Sequence, residues 1–137
     1  MKIEKKGNSK KIMVVDDDLE ISNLSKMALQ KQGYDVFGFT NPLLALEHFK
    51  SNHNACNLVI SDLRMPGMDG FELLRNIKLL NPKTKTLLMT AFDTSGITEL
   101  TTNQDNGVID DFFQKPVTIK RLCAFVNSHL FEERKTA

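Results

Sequence analysis

The chain has 137 residues, 41% of them hydrophobic and 26% charged, and its formal net charge is +1. This length suits one domain with a sizeable core, and the near-neutral charge excludes a general attraction to nucleic acid or membranes. No apolar run is long enough to span a bilayer, and the N-terminus lacks the apolar segment of a secretory signal. We therefore expect a cytoplasmic protein without membrane insertion or direct nucleic-acid binding.

The chain is expected to consist of one folded domain between two short tails. Residues 1–9 are rich in lysine and predict a flexible basic tail, residues 10–133 form the domain, and residues 134–137 form a C-terminal tail. The two cysteines, Cys56 and Cys123, lack metal-type spacing and are expected to be reduced thiols.

Strand and helix patterns alternate from the start of the chain. Residues 11–15 form an apolar run typical of a strand, and the next helix is expected to stop near Gly33. Residues 34–39 predict a second strand, after which Asn41-Pro42 forms a helix cap followed by a first-turn proline. The apolar positions that predict these two helices are Ile21, Leu24, Met27 and Ala28 in the first, and Leu43, Leu46 and Phe49 in the second.

The alternation continues to the end of the chain. Strands are predicted at residues 58–61, 86–89 and 108–113. Asp69 and Glu72 have capping-box spacing at the start of a third helix, whereas the pattern over residues 93–106 is weak. The apolar positions of the third and last helices are Leu73, Leu74 and Ile77, and Ile119, Leu122, Val126 and Leu130. Five such units predict an α/β fold with a single doubly wound, five-stranded parallel sheet and helices on both faces.

Polar side chains follow four of the predicted strands. Asp16, Asp17 and Asp18 follow the first, Asp62 the third, Thr90 the fourth and Lys115 the fifth. Because the carboxyl ends of parallel strands meet at one edge of a sheet, we expect these groups to lie close together. Carboxylates this close repel one another, and oxygen ligands are those that Mg²⁺ prefers. The pattern therefore predicts a site for a hard cation and a phosphoryl group.

Four motifs in order carry a resemblance to a known family. Val14-Val15-Asp16-Asp17, the stretch from Ser61 to Gly70 (SDLRMPGMDG), Thr90-Ala91 and Lys115-Pro116 resemble the receiver domains of two-component response regulators. The resemblance covers nearly the whole domain. It implies the flavodoxin-like or CheY-like fold with strand order 2-1-3-4-5.

The resemblance also implies a role for each site residue. Asp62 would be the phosphoacceptor, supplied by a histidine kinase or a phosphotransfer protein. Thr90 and Lys115 would contact the phosphoryl oxygens, and Phe112 would occupy an aromatic switch position. The Mg²⁺ ligands would be Asp17 and Asp62 directly, Asp16 mainly through water, and the backbone carbonyl of Arg64. Phosphorylation would then change the surface of the fourth helix, the fifth strand and the last helix, to which an unknown downstream protein binds.

Several alternatives stay open on the sequence. Asp16 to Asp18 suit a helix N-terminus without any metal, and Phe112 suits an ordinary core position. The chain is interpreted as a stand-alone receiver that is not an enzyme beyond self-catalysed phosphotransfer and dephosphorylation, or as part of a regulator whose output lies elsewhere. An aspartyl-nucleophile phosphatase is disfavoured because Glu20 stands where its motif needs Thr or Val. The segment between Thr90 and Lys115 is longer than is common in the family, so its helix is expected to be short, shifted or irregular.

Overall fold

A computed structural model describes residues 9–52, 55–91, 107–115 and 118–130 of the protein. The weak helix pattern of residues 93–106 lies outside the described residues. The described strands are β1 (Lys11–Val15), β2 (Asp35–Phe39), β3 (Leu58–Asp62), β4 (Lys85–Thr90) and β5 (Asp111–Gln114). The described helices are α1 (Leu19–Lys31), α2 (Pro42–Asn52), α3 (Gly70–Leu80) and α4 (Ile119–Leu130).

The five strands form one parallel sheet in the order β2-β1-β3-β4-β5. Ile12, Leu58 and Ile60 are buried against α1 and α4, whereas Met13 and Val59 are buried against α2 and α3. Successive strand residues thus face opposite helical layers, as the period of a strand requires. The predicted doubly wound fold and strand order are confirmed.

Local capping signals hold as predicted. The Asp18 carboxylate accepts hydrogen bonds from the N–H groups of Glu20 and Ile21 at the start of α1. The Asn41 side chain accepts from Leu43 N–H, and that of Asp69 accepts from Glu72 N–H. These caps fix where each helix begins, and therefore where the preceding loop leaves the sheet.

The predicted buried face of α1 is wrong in part. Leu24 and Met27 are 55% and 57% exposed. The residues that α1 buries are Ser22, Ser25 and Leu29. A Cβ atom on Gly38 of β2 would lie only 3.3 Å from Ser22 Oγ and 3.4 Å from Lys26 Cδ, so α1 packs closely on β2 here through Ser22 and the stem of Lys26. In α2 and α4, the predicted apolar positions Leu43 and Ile119 are likewise exposed.

The fifth strand begins later than predicted, at Asp111 instead of Val108. The Asp110 carboxylate accepts the backbone N–H of Thr86 at 2.8 Å and the Lys78 ammonium at 2.8 Å. The Thr86 hydroxyl donates to the Val108 carbonyl at 2.5 Å. Asp110 N–H still donates to the Thr86 carbonyl at 2.8 Å, but the Asp110 carboxylate and the Thr86 hydroxyl take up neighbouring backbone groups that a longer strand would pair with each other.

Candidate functional site

Three carboxylates meet at the carboxyl edge of the sheet. Asp16 and Asp17 follow β1, and Asp62 is the last residue of β3. One oxygen from each lies within 4.8 Å of the others. Asp16 is fully buried, the Asp62 side chain is 13% exposed, and Asp17 is exposed. The cluster is thus open to solvent on the side of Asp17.

Backbone and side-chain hydrogen bonds hold Asp16 in place. Its N–H donates to the Phe39 carbonyl of β2 at 3.0 Å, and its Oδ1 accepts from Asp18 N–H at 2.9 Å. Its Oδ2 accepts from Lys115 Nζ at 2.9 Å. A fully buried carboxylate needs such partners, because an unpaired charge in the interior is costly.

Lys115 brings the fifth strand into the site. It follows β5 directly, and its backbone N–H donates to the Thr90 carbonyl at 2.7 Å. Its ammonium lies 2.9 Å from Asp16 Oδ2 and 3.5 Å from Asp62 Oδ2. Burial alone would lower the pKa of Lys115, but its hydrogen bond to Asp16 and the charges of Asp16 and Asp62 raise it. Lys115 therefore stays protonated and positively charged beside Asp16 and Asp62.

The charge of the Asp62 carboxylate is only partly compensated by its neighbours. Burial raises its pKa to about 6 from an ordinary 3.8, and the charges of Asp16 and Asp17 act in the same direction. Lys115 and the hydrogen bond from Leu63 N–H oppose this shift and only partly cancel it. A second cation at this position would relieve the remaining repulsion.

The other predicted site residues occupy the same edge or the layer beneath it. Thr90 is the buried last residue of β4, and Arg64 is exposed two residues after Asp62. Phe112 pairs in register with Leu88 of β4 and packs half-buried against the core under α2 and α3. The structure thus brings Asp16, Asp17, Asp62 and Lys115 together, with Thr90 at the end of the adjoining strand.

Two further residues contact the Asp62 carbonyl and were given no role by sequence reasoning. The Ser61 hydroxyl donates to the Asp62 carbonyl at 2.9 Å. A Cβ atom on Gly70 would lie 2.1 Å from that carbonyl oxygen. The glycine directly after the Asp69 cap was the available signal, since a glycine inside a helix start indicates a close approach.

The donor set fits a hard divalent cation. Three carboxylate oxygens within 4.8 Å repel by roughly 3–4 kcal/mol per pair at an effective dielectric constant of about 20. Mg²⁺ takes oxygen ligands and is commonly held by one or two carboxylates and several waters. A doubly wound sheet with an acidic, lysine-flanked edge defines a class of phosphoryl-handling α/β domains.

Comparison with known proteins identifies the family. Residues 12–127 match the sequence model of the response regulator receiver domain family, and the chain belongs to that family. These are the receiver domains of two-component response regulators, with a CheY-like fold.

Individual relatives agree with this assignment. The chain is 35% identical over 116 residues to the transcriptional regulatory protein ZraR of Klebsiella oxytoca, a match that covers 85% of the chain and 25% of ZraR. It is 34% identical over 84 residues to sporulation initiation phosphotransferase F of Bacillus subtilis, covering 61% of the chain and 66% of that protein. The matched region thus spans about a quarter of one curated relative and about two thirds of the other.

A solved structure shows the same fold. The response regulator TrrA of Thermotoga maritima, solved in complex with Mg²⁺ and BeF, has a TM-score of 0.72 and 30% identity. The match covers 87% of this chain and 97% of TrrA. Among the described residues, no helix is long and apolar enough to cross a membrane.

Proposed function

We propose that this protein is a phosphorylation-dependent signalling switch in which Asp62 accepts a phosphoryl group in the presence of Mg²⁺. The observation that carries the proposal is the placement of Asp62 Oδ2 3.5 Å from Lys115 Nζ, within one cluster with Asp16 and Asp17. The phosphoryl donor would be a histidine kinase or a phosphotransfer protein. Residues 10–133 would form the receiver domain.

Magnesium would be held by the acidic cluster. Asp17 and Asp62 would bind it directly, Asp16 mainly through water, and Arg64 through its backbone carbonyl. When bound, the ion would neutralise charge on the oxygens of the transferring phosphoryl group. The solved complex of TrrA with Mg²⁺ and BeF supports this choice of metal for a related chain.

The proposed transfer needs no reactant other than the phosphorylated donor histidine and Asp62. A carboxylate oxygen of Asp62 attacks the phosphorus atom, the bond from phosphorus to the donor histidine nitrogen breaks, and the electron pair stays on that nitrogen. Lys115 and the Thr90 hydroxyl are proposed to bind the phosphoryl oxygens as charge spreads over them. Hydrolysis of the resulting acyl phosphate returns Asp62 to its starting form, so the protein would act as a switch and not as an enzyme with an external substrate.

The response to phosphorylation is proposed to pass through Thr90 and Phe112. Attraction of the Thr90 hydroxyl toward the phosphoryl group would free space into which Phe112 rotates. The changed surface would include residues 92–106, which lie outside the described part of the chain, together with β5 and α4. It would bind an unknown downstream protein. If phosphorylation of Asp62 left the amide spectra of residues 92–125 unchanged, this part of the proposal would be wrong.

The acceptor assignment can be tested by mass spectrometry. The protein is incubated with Mg²⁺ and acetyl phosphate, and the intact mass is measured for the wild type, Asp62→Ala and Asp17→Ala. We expect the wild type to gain one phosphoryl group, Asp62→Ala to gain none, and Asp17→Ala to gain little because the metal is held poorly. An unmodified wild type, or equal modification of wild type and Asp62→Ala, counts against the proposal.

A second candidate is that the chain is the receiver part of a larger regulator. The observation in its favour is that the match covers only 25% of ZraR, which is named as a transcriptional regulatory protein. The output, DNA-binding or enzymatic, would then lie on another segment or subunit.

In either case we infer a cytoplasmic location, because Cys56 and Cys123 are free thiols.

A further inference from the structure

The peptide group between Asp62 and Leu63 links the backbone of β3 to the acceptor carboxylate. Its N–H donates to Asp62 Oδ1 at 3.0 Å and to the Met89 carbonyl of β4 at 2.9 Å. Its carbonyl oxygen points in the opposite direction within the same plane and faces Ser61 and Gly70. Because a peptide group is planar, whatever fixes this carbonyl also fixes the direction of the N–H.

Ser61 holds the carbonyl from within the strand. The residue is fully buried and lies between Val15 of β1 and Leu88 of β4. Its hydroxyl donates to the Asp62 carbonyl at 2.9 Å. A buried hydroxyl is retained only with a hydrogen-bond partner, so this contact is a fixed part of the structure.

Gly70, the first residue of α3, packs directly against the same carbonyl. Its N–H donates to the Leu63 carbonyl at 2.7 Å, which ties the helix start to the residue after the acceptor. A Cβ atom at this position would lie 2.1 Å from the Asp62 oxygen and 3.0 Å from the Asp62 carbonyl carbon. Only a residue without a side chain lets α3 approach the acceptor backbone so closely.

We propose that Ser61 and Gly70 are positioning residues for the phosphoacceptor. Ser61 bonds the Asp62 carbonyl and Gly70 leaves room for it at the start of α3, so together they keep Leu63 N–H aimed at Oδ1, and this bond turns Oδ2 toward Lys115. The inference rests on the proposed function of Asp62. Neither residue touches the reacting atoms, so both act through the orientation of the Asp62 carboxylate.

The test compares phosphorylation rates of folded variants. The initial rate of modification by acetyl phosphate is measured at saturating Mg²⁺, well below the unfolding temperature of each variant. We expect Gly70→Ala to lose at least about tenfold and Ser61→Ala roughly threefold to tenfold, since small misplacements of reacting groups are costly. Ser61→Thr, which keeps a hydroxyl, should restore most of the rate.

Matched controls separate positioning from general stability. Ser22→Ala removes a buried serine of α1, and Gly38→Ala adds a methyl group in β2 whose nearest neighbours are the side chains of Ser22 and Lys26. Both should keep a rate within about twofold of the wild type even where they lower stability. Wild-type rates in folded Ser61→Ala and Gly70→Ala would overturn the inference. If Gly70→Ala does not fold, equal rates for Ser61→Ala and the wild type overturn it. An unmodified wild type would instead overturn the proposed function.

Discussion

The Asp62 carboxyl differs from its two acidic neighbours in how its charge is compensated. Asp16 takes the shorter contact with Lys115, at 2.9 Å against 3.5 Å for Asp62. Asp17 is exposed to solvent. Asp62 is largely buried beside two negative charges, and its burial together with those charges raises its pKa to about 6. The residue that is proposed to react thus carries a charge that a further cation would stabilise.

The raised pKa predicts a pH dependence of stability in the absence of metal. A carboxyl whose pKa is about 6 when folded and 3.8 when unfolded binds its proton more tightly in the folded state. The free energy of unfolding should therefore fall as pH rises from about 4 to about 6, and then level off. Allowing for solvent screening, the Asp62 contribution should be about 1–2 kcal/mol.

Urea unfolding in EDTA across this pH range would measure the effect. Other acids titrate nearby, so the relevant quantity is the difference between the wild type and Asp62→Asn. We expect the free energy of unfolding of Asp62→Asn to increase relative to that of the wild type between pH 4 and pH 6, because the amide carries no charge at any pH. A difference that is constant over this interval would contradict the assigned shift.

The entrance to β5 is determined by side chains and not by the apolar pattern. Val108 and Ile109 are typical strand residues, yet the strand begins after Asp110. Burial would raise the pKa of Asp110, but its hydrogen bonds from Lys78 and Thr86 N–H lower it. Asp110 therefore stays charged. Its carboxylate links Lys78 near the end of α3 to Thr86 near the start of β4, directly before β5 begins.

This arrangement predicts a substantial loss of stability for Asp110→Ala. The change leaves Thr86 N–H and the partly buried Lys78 without this acceptor, and the expected cost is about 1–3 kcal/mol at pH 7. Asp35→Ala is the control, because it removes an exposed ion pair with Lys11 that should be worth less than about 1 kcal/mol. Urea unfolding of the two variants measures the difference, and equal losses would show that Asp110 is only a surface charge.

Signals between residues close in sequence predicted the helix starts, whereas features that depend on contacts between distant elements were predicted less well. The caps at Asp18, Asn41 and Asp69 depend on residues two or three positions away, so they were visible in the sequence. The buried face of α1 depends on its distance from Gly38, which lies on another element. Periodicity alone cannot report such a distance, and for that reason Leu24 and Met27 were assigned to the wrong environment.

For the whole molecule, the alternation of strands and helices was sufficient to predict where the site lies. Parallel strands place their carboxyl ends at one edge, so Asp16, Asp62 and Lys115 had to converge if the alternation was right. The strand order came from the family resemblance and not from the pattern itself. The close approach of Gly70 to the Asp62 carbonyl could not be predicted in detail, because its distance depends on the approach angle of α3.

Because the acidic site is built from the ends of several strands, metal binding should stabilise the entire domain. A domain of this size is expected to unfold as one unit, so a ligand held by the folded state raises its free energy of unfolding everywhere. At ten times its Kd, Mg²⁺ should add about 1.4 kcal/mol. Asp17→Ala should lose most of this gain, whereas Asp18→Asn, which keeps the cap of α1, should retain it. Hydrogen exchange measures the effect: the slowest amides of β1 and β3 should gain protection with Mg²⁺, and protection confined to the loops around Asp17 and Asp62 would contradict this coupling.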